Sequence, residues 1–282
     1  MNAPMLHICT LVTNRPQYVE MKASFLAAGF DDSVCRYTSF DNTAGNEFEP
    51  YSLINRLLAE TPEPYLVLCH QDILLNRGHD FTTLRQIIKE LDQADPRWAI
   101  FGNAGCTDAF EFIVRLSDPT QWQDVDNPLT ADKPLTHERM PPQAVHSLDE
   151  NFLLLKTAAN VHASPHLSGF HLYGTDLCLN ARRAGHTCYV ADFNLTHLSP
   201  GNFGADFERS RGLFIDRWNQ EFHFLYIIRG AQIFLSRWSF LRQLGSRTRV
   251  RNVFLHRSFL RKWMTKEIQP SKPQPPRNKT YL

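Results

Sequence analysis

An apolar run of strand length, Tyr65-Leu-Val-Leu-Cys69, ends abruptly in His70, Gln71 and Asp72 before Ile73-Leu-Leu75 resumes. A buried strand that delivers an acid at its carboxyl end marks a site in an open α/β sheet, because ligands bind in the crevice beyond those ends. An Asp held there can coordinate a divalent cation that carries a nucleotide diphosphate. The alternative role for Asp72 is to cap a turn.

The surrounding elements must hold that strand end in place. Residues 6–13 read as a first buried strand, 18–28 as a helix closed by Gly29, and 34–40 as a second strand. A helix over 51–59 leads through Thr-Pro-Glu-Pro into the strand carrying His70 and Asp72, and 81–91 is amphipathic and helical. Alternation of strand and helix in this order predicts a largely parallel sheet. A strand over 98–105 follows, with Gly102 and Gly105 permitting close backbone approach. From 106 to 143 the pattern loosens into a Pro-rich loop with one short strand at 112–116. Residues 145–156 are extended, 176–184 helical, and 188–195 a last strand reaching His197. Two or three further helices, with Trp218, Trp238 and Trp263 among them, precede a Pro- and Lys-rich tail expected to be disordered.

With 282 residues and 43% hydrophobic content the chain can bury one large core plus an extension. The formal net charge of +1 hides an asymmetry: from Arg229 onward there are 13 Lys and Arg against the single acid Glu267, whereas residues 1–228 carry 17 basic and 28 acidic side chains. Six cysteines are scattered without a C-x-x-C pair and read as reduced core residues, which argues against a disulfide frame or a zinc site. No basic leader precedes the first strand and no apolar run is long enough to span a bilayer, so a cytoplasmic protein is expected.

Several segments line up in an order that resembles the family-2-type glycosyltransferases of the GT-A fold, and most of all the glycosyltransferase domain named after a streptomycin biosynthesis protein. They are Thr13-Asn14-Arg15-Pro16 after the first strand, Phe40-Asp41-Asn42 after the second, Asn55 in the next helix, and His70-Gln71-Asp72. The Gly-rich strand at 101–105, Leu-Asp-x-x-Phe at 148–152, Gly-Phe-His-x-Tyr-x-x-Asp-Leu-Cys at 169–178 and His-x-Ser-x-Gly at 197–201 complete the pattern. The resemblance spans roughly residues 5–205 and implies a mostly parallel, Rossmann-like nucleotide-binding sheet flanked by helices. The expected division is therefore a catalytic domain at 1–205, a helical basic extension at 206–268 and a tail at 269–282.

The resemblance also implies roles. Thr13 and Asn14 lie against the base or ribose, Asp41 accepts a hydrogen bond from the same moiety, and Asn55 and His70 join the donor site. Asp72 matches the last acid of the Asp-x-Asp motif that binds Mg²⁺ or Mn²⁺ together with the nucleotide-diphosphate sugar; His70 stands where the first acid would be. His197 matches a position that closes the metal or pyrophosphate site, its alternative being a structural imidazole. Related enzymes carry an acid at 174 as the general base that deprotonates the acceptor hydroxyl, whereas this chain has Gly174. His171, Asp149 and Asp176 are the replacements available in sequence, and Asp176 alternatively caps its own helix.

The activity implied is metal-assisted transfer of a sugar, with inversion, to a saccharide, lipid-linked or small-molecule acceptor, in polysaccharide or secondary-metabolite assembly. A non-catalytic sugar or nucleotide binder is the alternative, because His70 and Gly174 replace acids; a nucleotidyltransferase is disfavoured by the lack of a Gly-rich basic loop after the first strand. The basic C-terminal region, with helices expected over 224–244 and 253–264, suits either an anionic membrane surface or packing on the catalytic domain. A nucleic-acid arm is disfavoured by the acidic body.

Overall fold

Strands and helices alternate from the N-terminus as β1 (Leu6–Val12), α1 (Arg15–Ala27), β2 (Cys35–Asp41), α2 (Pro50–Glu60), β3 (Tyr65–Cys69), β4 (Ile73–Leu75), α3 (Phe81–Ala94) and β5 (Trp98–Gly102). The computed structural model, which describes residues 4–107, 112–117, 140–199, 204–223, 225–228 and 231–246, continues through short strands β6 (Ala104–Cys106), β7 (Phe112–Val114), β8 (Leu116–Ser117), β9 (Gln143–Val145) and β10 (Ser147–Leu148). Then come β11 (Phe152–Lys156), α4 (Tyr173–Arg183), β12 (Thr187–Val190), β13 (Leu195–His197), α5 (Ala205–Trp218), β14 (Tyr226–Ile228), β15 (Ile233–Leu235) and α6 (Ser239–Ser246).

The first three helices begin where the sequence supplies an N-cap. Asn14 accepts from the Gln17 N–H, Glu49 from the Ser52 N–H and Asp80 from the Thr83 N–H, each satisfying a donor the helix leaves open. Pro16 and Pro50 stand in the first turns of α1 and α2, where a missing N–H costs nothing. In α3, Leu84, Ile87, Ile88 and Leu91 are buried at helical spacing, so one stripe faces the sheet.

Among the described residues the main sheet has seven strands in the order β2-β1-β3-β11-β5-β12-β9. β2, β1, β3, β5 and β12 run in one direction, and β11 and β9 oppose them. The sheet is thus mixed α/β and mostly parallel. Its strands alternate between two apolar layers: Leu66, Leu68, Leu153 and Leu155 face the core under α2, α4 and α5, whereas Val67, Cys69, Phe152 and Leu154 face the core under α1 and α3. Burial on both faces explains why β3 and β5 are continuous apolar runs in sequence. All six cysteines are buried and free.

Three expected elements are broken by structure. The strand expected at 98–105 splits at the buried Asn103 into β5 and β6, and the extended stretch at 145–156 becomes β9, β10 and β11, with a turn at Asp149, Glu150 and Asn151. Tyr226–Ile228 and Ile233–Leu235 pair as a buried β14–β15 hairpin where a basic helix is expected over 224–244, and among the described residues of that stretch only α6 is helical. The β-branched run Ile227-Ile228 and Ile233 suits a two-sided buried ribbon better than an exposed helix face. The hairpin and α5 share one core with the sheet, through Phe214, Trp218, Tyr226 and Ile233. The long loop's 118–139, the second basic stretch at 253–264 and the tail lie outside the described residues. Among the described residues no helix is long and apolar enough to cross a membrane.

Candidate active site

The carboxyl end of β3 is drawn into a corner by its neighbours. Antiparallel pairing sets Phe152 opposite Cys69, so the turn before β11 arrives beside His70, whose N–H donates to the Asn151 carbonyl at 2.9 Å. β13 runs antiparallel to β4 with His197 opposite Ile73, and the Leu198 N–H donates to the Asp72 carbonyl at 2.8 Å. Residues separated by more than a hundred positions thereby meet. His197 Nε2 lies 3.4 Å from Asp72 Oδ1, His70 Nδ1 lies 3.9 Å from the same oxygen, and the two imidazoles approach to 3.5 Å.

One potential ligand atom from each of His70, Asp72 and His197 falls within a span of 4.8 Å. Burial by itself would raise the Asp72 pKa, but hydrogen bonds from His197 and Ser199 and the nearby imidazoles outweigh it and hold the carboxyl well below its usual range. Burial lowers the pKa of His70, opposed by the charge of Asp72. The cluster therefore offers an ionised carboxylate and a neutral imidazole, the protonation states that a cation requires.

A cavity of about 240 Å³ opens against this cluster, walled by Thr10 and Thr13, Leu53 of α2, His70, Asp72 and Tyr173 among others. Its rim is pinned by Gln71. The Gln71 Oε1 accepts the Thr13 and Asn14 N–H groups at 2.8 and 2.7 Å, and its Nε2 donates to Thr13 Oγ1 at 2.7 Å. The side chain between the two candidate ligands thus ties the end of β3 to the end of β1.

The other expected donor-site residues are engaged elsewhere. Asn14 caps α1 with its side chain. Asp41 accepts from the Thr43 N–H and hydroxyl and pairs with Arg15; those hydrogen bonds, with Thr43 contributing most, keep its carboxyl below the ordinary range. Asn55 uses both ends of its amide on Ala163, donating to the carbonyl at 3.0 Å and accepting from the N–H at 2.8 Å. Of this group only Thr13 and His70 line the cavity.

The three candidate bases separate clearly. Asp176 is fully buried inside the first turn of α4, with Leu172 in the cap position, so it is not a helix cap. It accepts from the Ser164 N–H at 2.6 Å, the Ser164 hydroxyl at 2.7 Å, Asn180 Nδ2 at 3.1 Å and Trp218 Nε1 at 2.9 Å. With four donors and no exposure, it cross-links α4 to α5 and cannot touch an acceptor substrate; burial pushes its pKa up. His171 holds its ring edge-on to Phe207 at 5.5 Å and gives its carbonyl to Tyr51 at 2.9 Å. Burial lowers its pKa, and its charge is felt at His70. Asp149 is exposed in the turn before β11, where it accepts from the Asn151 N–H at 3.0 Å.

Its neighbour Glu150 was not singled out in the sequence. The Glu150 Oε1 accepts the Gly174 N–H at 3.2 Å, and burial together with the charge of Asp149 pushes its pKa up to about 8. A side chain at 174 has no room: a Cβ there would stand 2.7 Å from the Leu148 carbonyl oxygen. Tyr173 connects the two regions, its hydroxyl lying 3.4 Å from His70 Nε2 and 3.4 Å from the Glu150 carbonyl. The available signal was an acid pair immediately ahead of a buried strand, but it points at the site only once β11 is known to run antiparallel.

No family model matches the chain. Among solved structures, it is similar to Staphylococcus aureus TarS 1–349 in complex with UDP-GlcNAc, at 8% identity and a TM-score of 0.45 over 75% of this chain; it spans 64% of the length of that one. It is also similar to the mannosyltransferase PcManGT from Pyrobaculum calidifontis in complex with GDP-Man and Mn²⁺, at 9% identity and a TM-score of 0.46 over 95% of this chain and 73% of the other. In sequence it is 32% identical over 216 residues to "ATP synthase subunits region ORF 6" of Fuscovulum blasticum, a match covering 73% of this chain and 80% of the relative, whose name states no activity. At that identity and coverage, the chain belongs to the family of the Fuscovulum blasticum ORF 6 protein.

Proposed function

We propose that the protein is a glycosyltransferase of the GT-A type, which binds a nucleotide-diphosphate sugar in the cavity beside β1 and β3 and transfers the sugar, with inversion, to an acceptor hydroxyl. The observation that carries this reading is the convergence of His70, Asp72 and His197 beside a cavity at the carboxyl ends of parallel strands, with His70 and Asp72 in its wall. The ordered motifs from Thr13 to Gly201 support the same class of activity.

Two imidazoles and a carboxylate fit a divalent cation, and the mixed nitrogen and oxygen set suits Mn²⁺ better than Mg²⁺, which prefers oxygen alone. His70, Asp72 and His197 would hold the cation, which would supply positive charge against the departing diphosphate. The chain's own groups do the rest. Gln71 keeps the cavity rim rigid through Thr13, and Tyr173 fixes the wall between His70 and Glu150. In its ionised form Glu150, beside Gly174, is the carboxylate that receives the acceptor proton. The acceptor oxygen bonds to the anomeric carbon while that carbon's bond to the diphosphate breaks, and the diphosphate leaves with the electron pair.

The test is a panel of nucleotide sugars with Mn²⁺, read first by thermal shift and then by hydrolysis of the donor with water as acceptor. At least one donor should raise the melting temperature and be hydrolysed, and Glu150→Gln should keep the shift while losing about 100-fold in turnover. No shift with any donor sinks the transferase reading. A donor bound but never turned over leaves a non-catalytic nucleotide-sugar binder, and equal turnover by Glu150→Gln removes that residue alone.

A further inference from the structure

The α6 helix is anchored at one end and bare at the other. Near its carboxyl end, Gly245 sits so close to the hairpin that a Cβ there would come within 2.7 Å of Leu225 Cδ2 and 3.1 Å of Phe234 Cδ1. At its start, Trp238 is 53% and Phe240 61% exposed, and Arg237 and Ser239 beside them are exposed as well.

The tip is held in place by its own bonds. Ser236 Oγ accepts the Trp238 N–H at 3.2 Å, and Arg242 donates to the Ser236 carbonyl. The Arg237 guanidinium lies 5.8 Å from the Trp238 ring centroid and 3.0 Å from His223 Nδ1. Two large aromatic side chains are thus presented outward from an ordered turn, one with a cation against its ring. Exposed apolar area of this kind is unfavourable in water and is retained where something apolar covers it.

Charge decides what that is. From Arg229 onward the chain has 13 Lys and Arg and one acid, whereas the remainder has 28 acids and 17 bases. The excess of acids over residues 1–228 disfavours a nucleic acid that would wrap the molecule, whereas Arg237 and Arg242 beside the exposed rings favour an anionic surface at the tip. Trp and Phe beside Arg suit the headgroup layer of a bilayer, where an aromatic ring is half dry and a guanidinium reaches phosphate.

We propose that residues 237–240 dock on an anionic phospholipid bilayer, with Trp238 and Phe240 entering the headgroup region and the basic charge from Arg229 onward drawing the chain to the lipid phosphates. This surface is independent of the transferase reading and would hold for any activity of the cavity.

Co-sedimentation of the full chain with vesicles tests it, using phosphatidylcholine alone and phosphatidylcholine with about one-third phosphatidylglycerol. The parent should bind the anionic vesicles and not the neutral ones, and raising salt from about 50 to about 500 mM should weaken binding strongly. Trp238→Ala with Phe240→Ala removes two exposed side chains and should leave the fold intact, as circular dichroism and melting temperature will report. Partitioning should fall by about ten-fold or more. An intact chain that ignores anionic vesicles at low salt overturns the proposal. So does a double variant that binds as the parent does, since the tip would then be covered by the chain's own tail or play no part. Displacement from the vesicles by a short RNA, with RNA affinity unchanged in the double variant, would mark a nucleic-acid surface and overturn it too.

Discussion

Glu150 Oε1 accepts the N–H of Gly174 at 3.2 Å, and the Cβ that any other residue would carry at 174 has no space beneath the Leu148 carbonyl. The two observations are one arrangement: the turn before β11 fills the space beside Gly174 and sets the Glu150 carboxyl against its N–H.

Glu150 should make stability depend on pH. Its folded pKa of about 8 lies above the ordinary 4.5, so the native state holds the proton that the unfolded chain releases. The stability it permits is fully present below pH 4.5 and is lost as pH rises through about 8. Glu150→Gln should therefore melt progressively higher than the parent as pH is raised from about 5 to about 9, and turnover of the parent should climb over the upper part of that range. A constant difference in melting temperature across the range would contradict the enclosed position of this acid.

Asp72→Asn removes the one carboxylate of the His70, Asp72 and His197 cluster. Calorimetric titration with Mn²⁺ alone should show affinity reduced by about 100-fold, and donor binding should lose its dependence on metal, while the circular dichroism spectrum stays that of the parent. Equal Mn²⁺ affinity in parent and variant would show that this cluster is not the cation site.

Gly174→Ala places a Cβ 2.7 Å from the Leu148 carbonyl oxygen, which is backbone and cannot rotate away. The expected cost is about 1–3 kcal/mol in denaturant unfolding, with turnover falling as Glu150 is displaced. A variant as stable as the parent would mean that the β10–β11 turn is free to move.

Asp176→Ala leaves the Ser164 N–H and hydroxyl, Asn180 and Trp218 Nε1 without their shared acceptor in a buried site. A loss of about 3 kcal/mol or more is expected, because unsatisfied buried donors retain their full desolvation penalty. Donor affinity per folded molecule should change little; a selective loss of turnover with full stability would return Asp176 to the candidate bases.

Much of this was legible in the chain itself. The two-sided burial of β3 shows as Tyr65-Leu-Val-Leu-Cys69, the first three helices show in the patterns over 18–28, 51–59 and 81–91, and the mostly parallel sheet follows from the alternation of strands and helices. These are local patterns, in which each residue's neighbours in sequence are also its neighbours in the element. The acid Asp72 at a strand end and the free, buried cysteines belong to the same class.

Tertiary structure alone decided which long-range neighbours meet. Asn55, Asp41 and Asp176 are polar residues in suggestive segments, yet each has its side chain engaged by groups that sequence spacing does not bring near: Ala163, Arg15 and Trp218. Glu150 became a candidate only because β11 runs against β3, which turns the start of that strand toward the site rather than away from it. Likewise, the apolar residues of 225–235 are compatible with helix or ribbon, and packing against Trp218 and the sheet core selects the ribbon. Strand direction and pairing are set by the total burial of the sheet, a sum over contacts distant in sequence, and a local pattern carries no record of that sum.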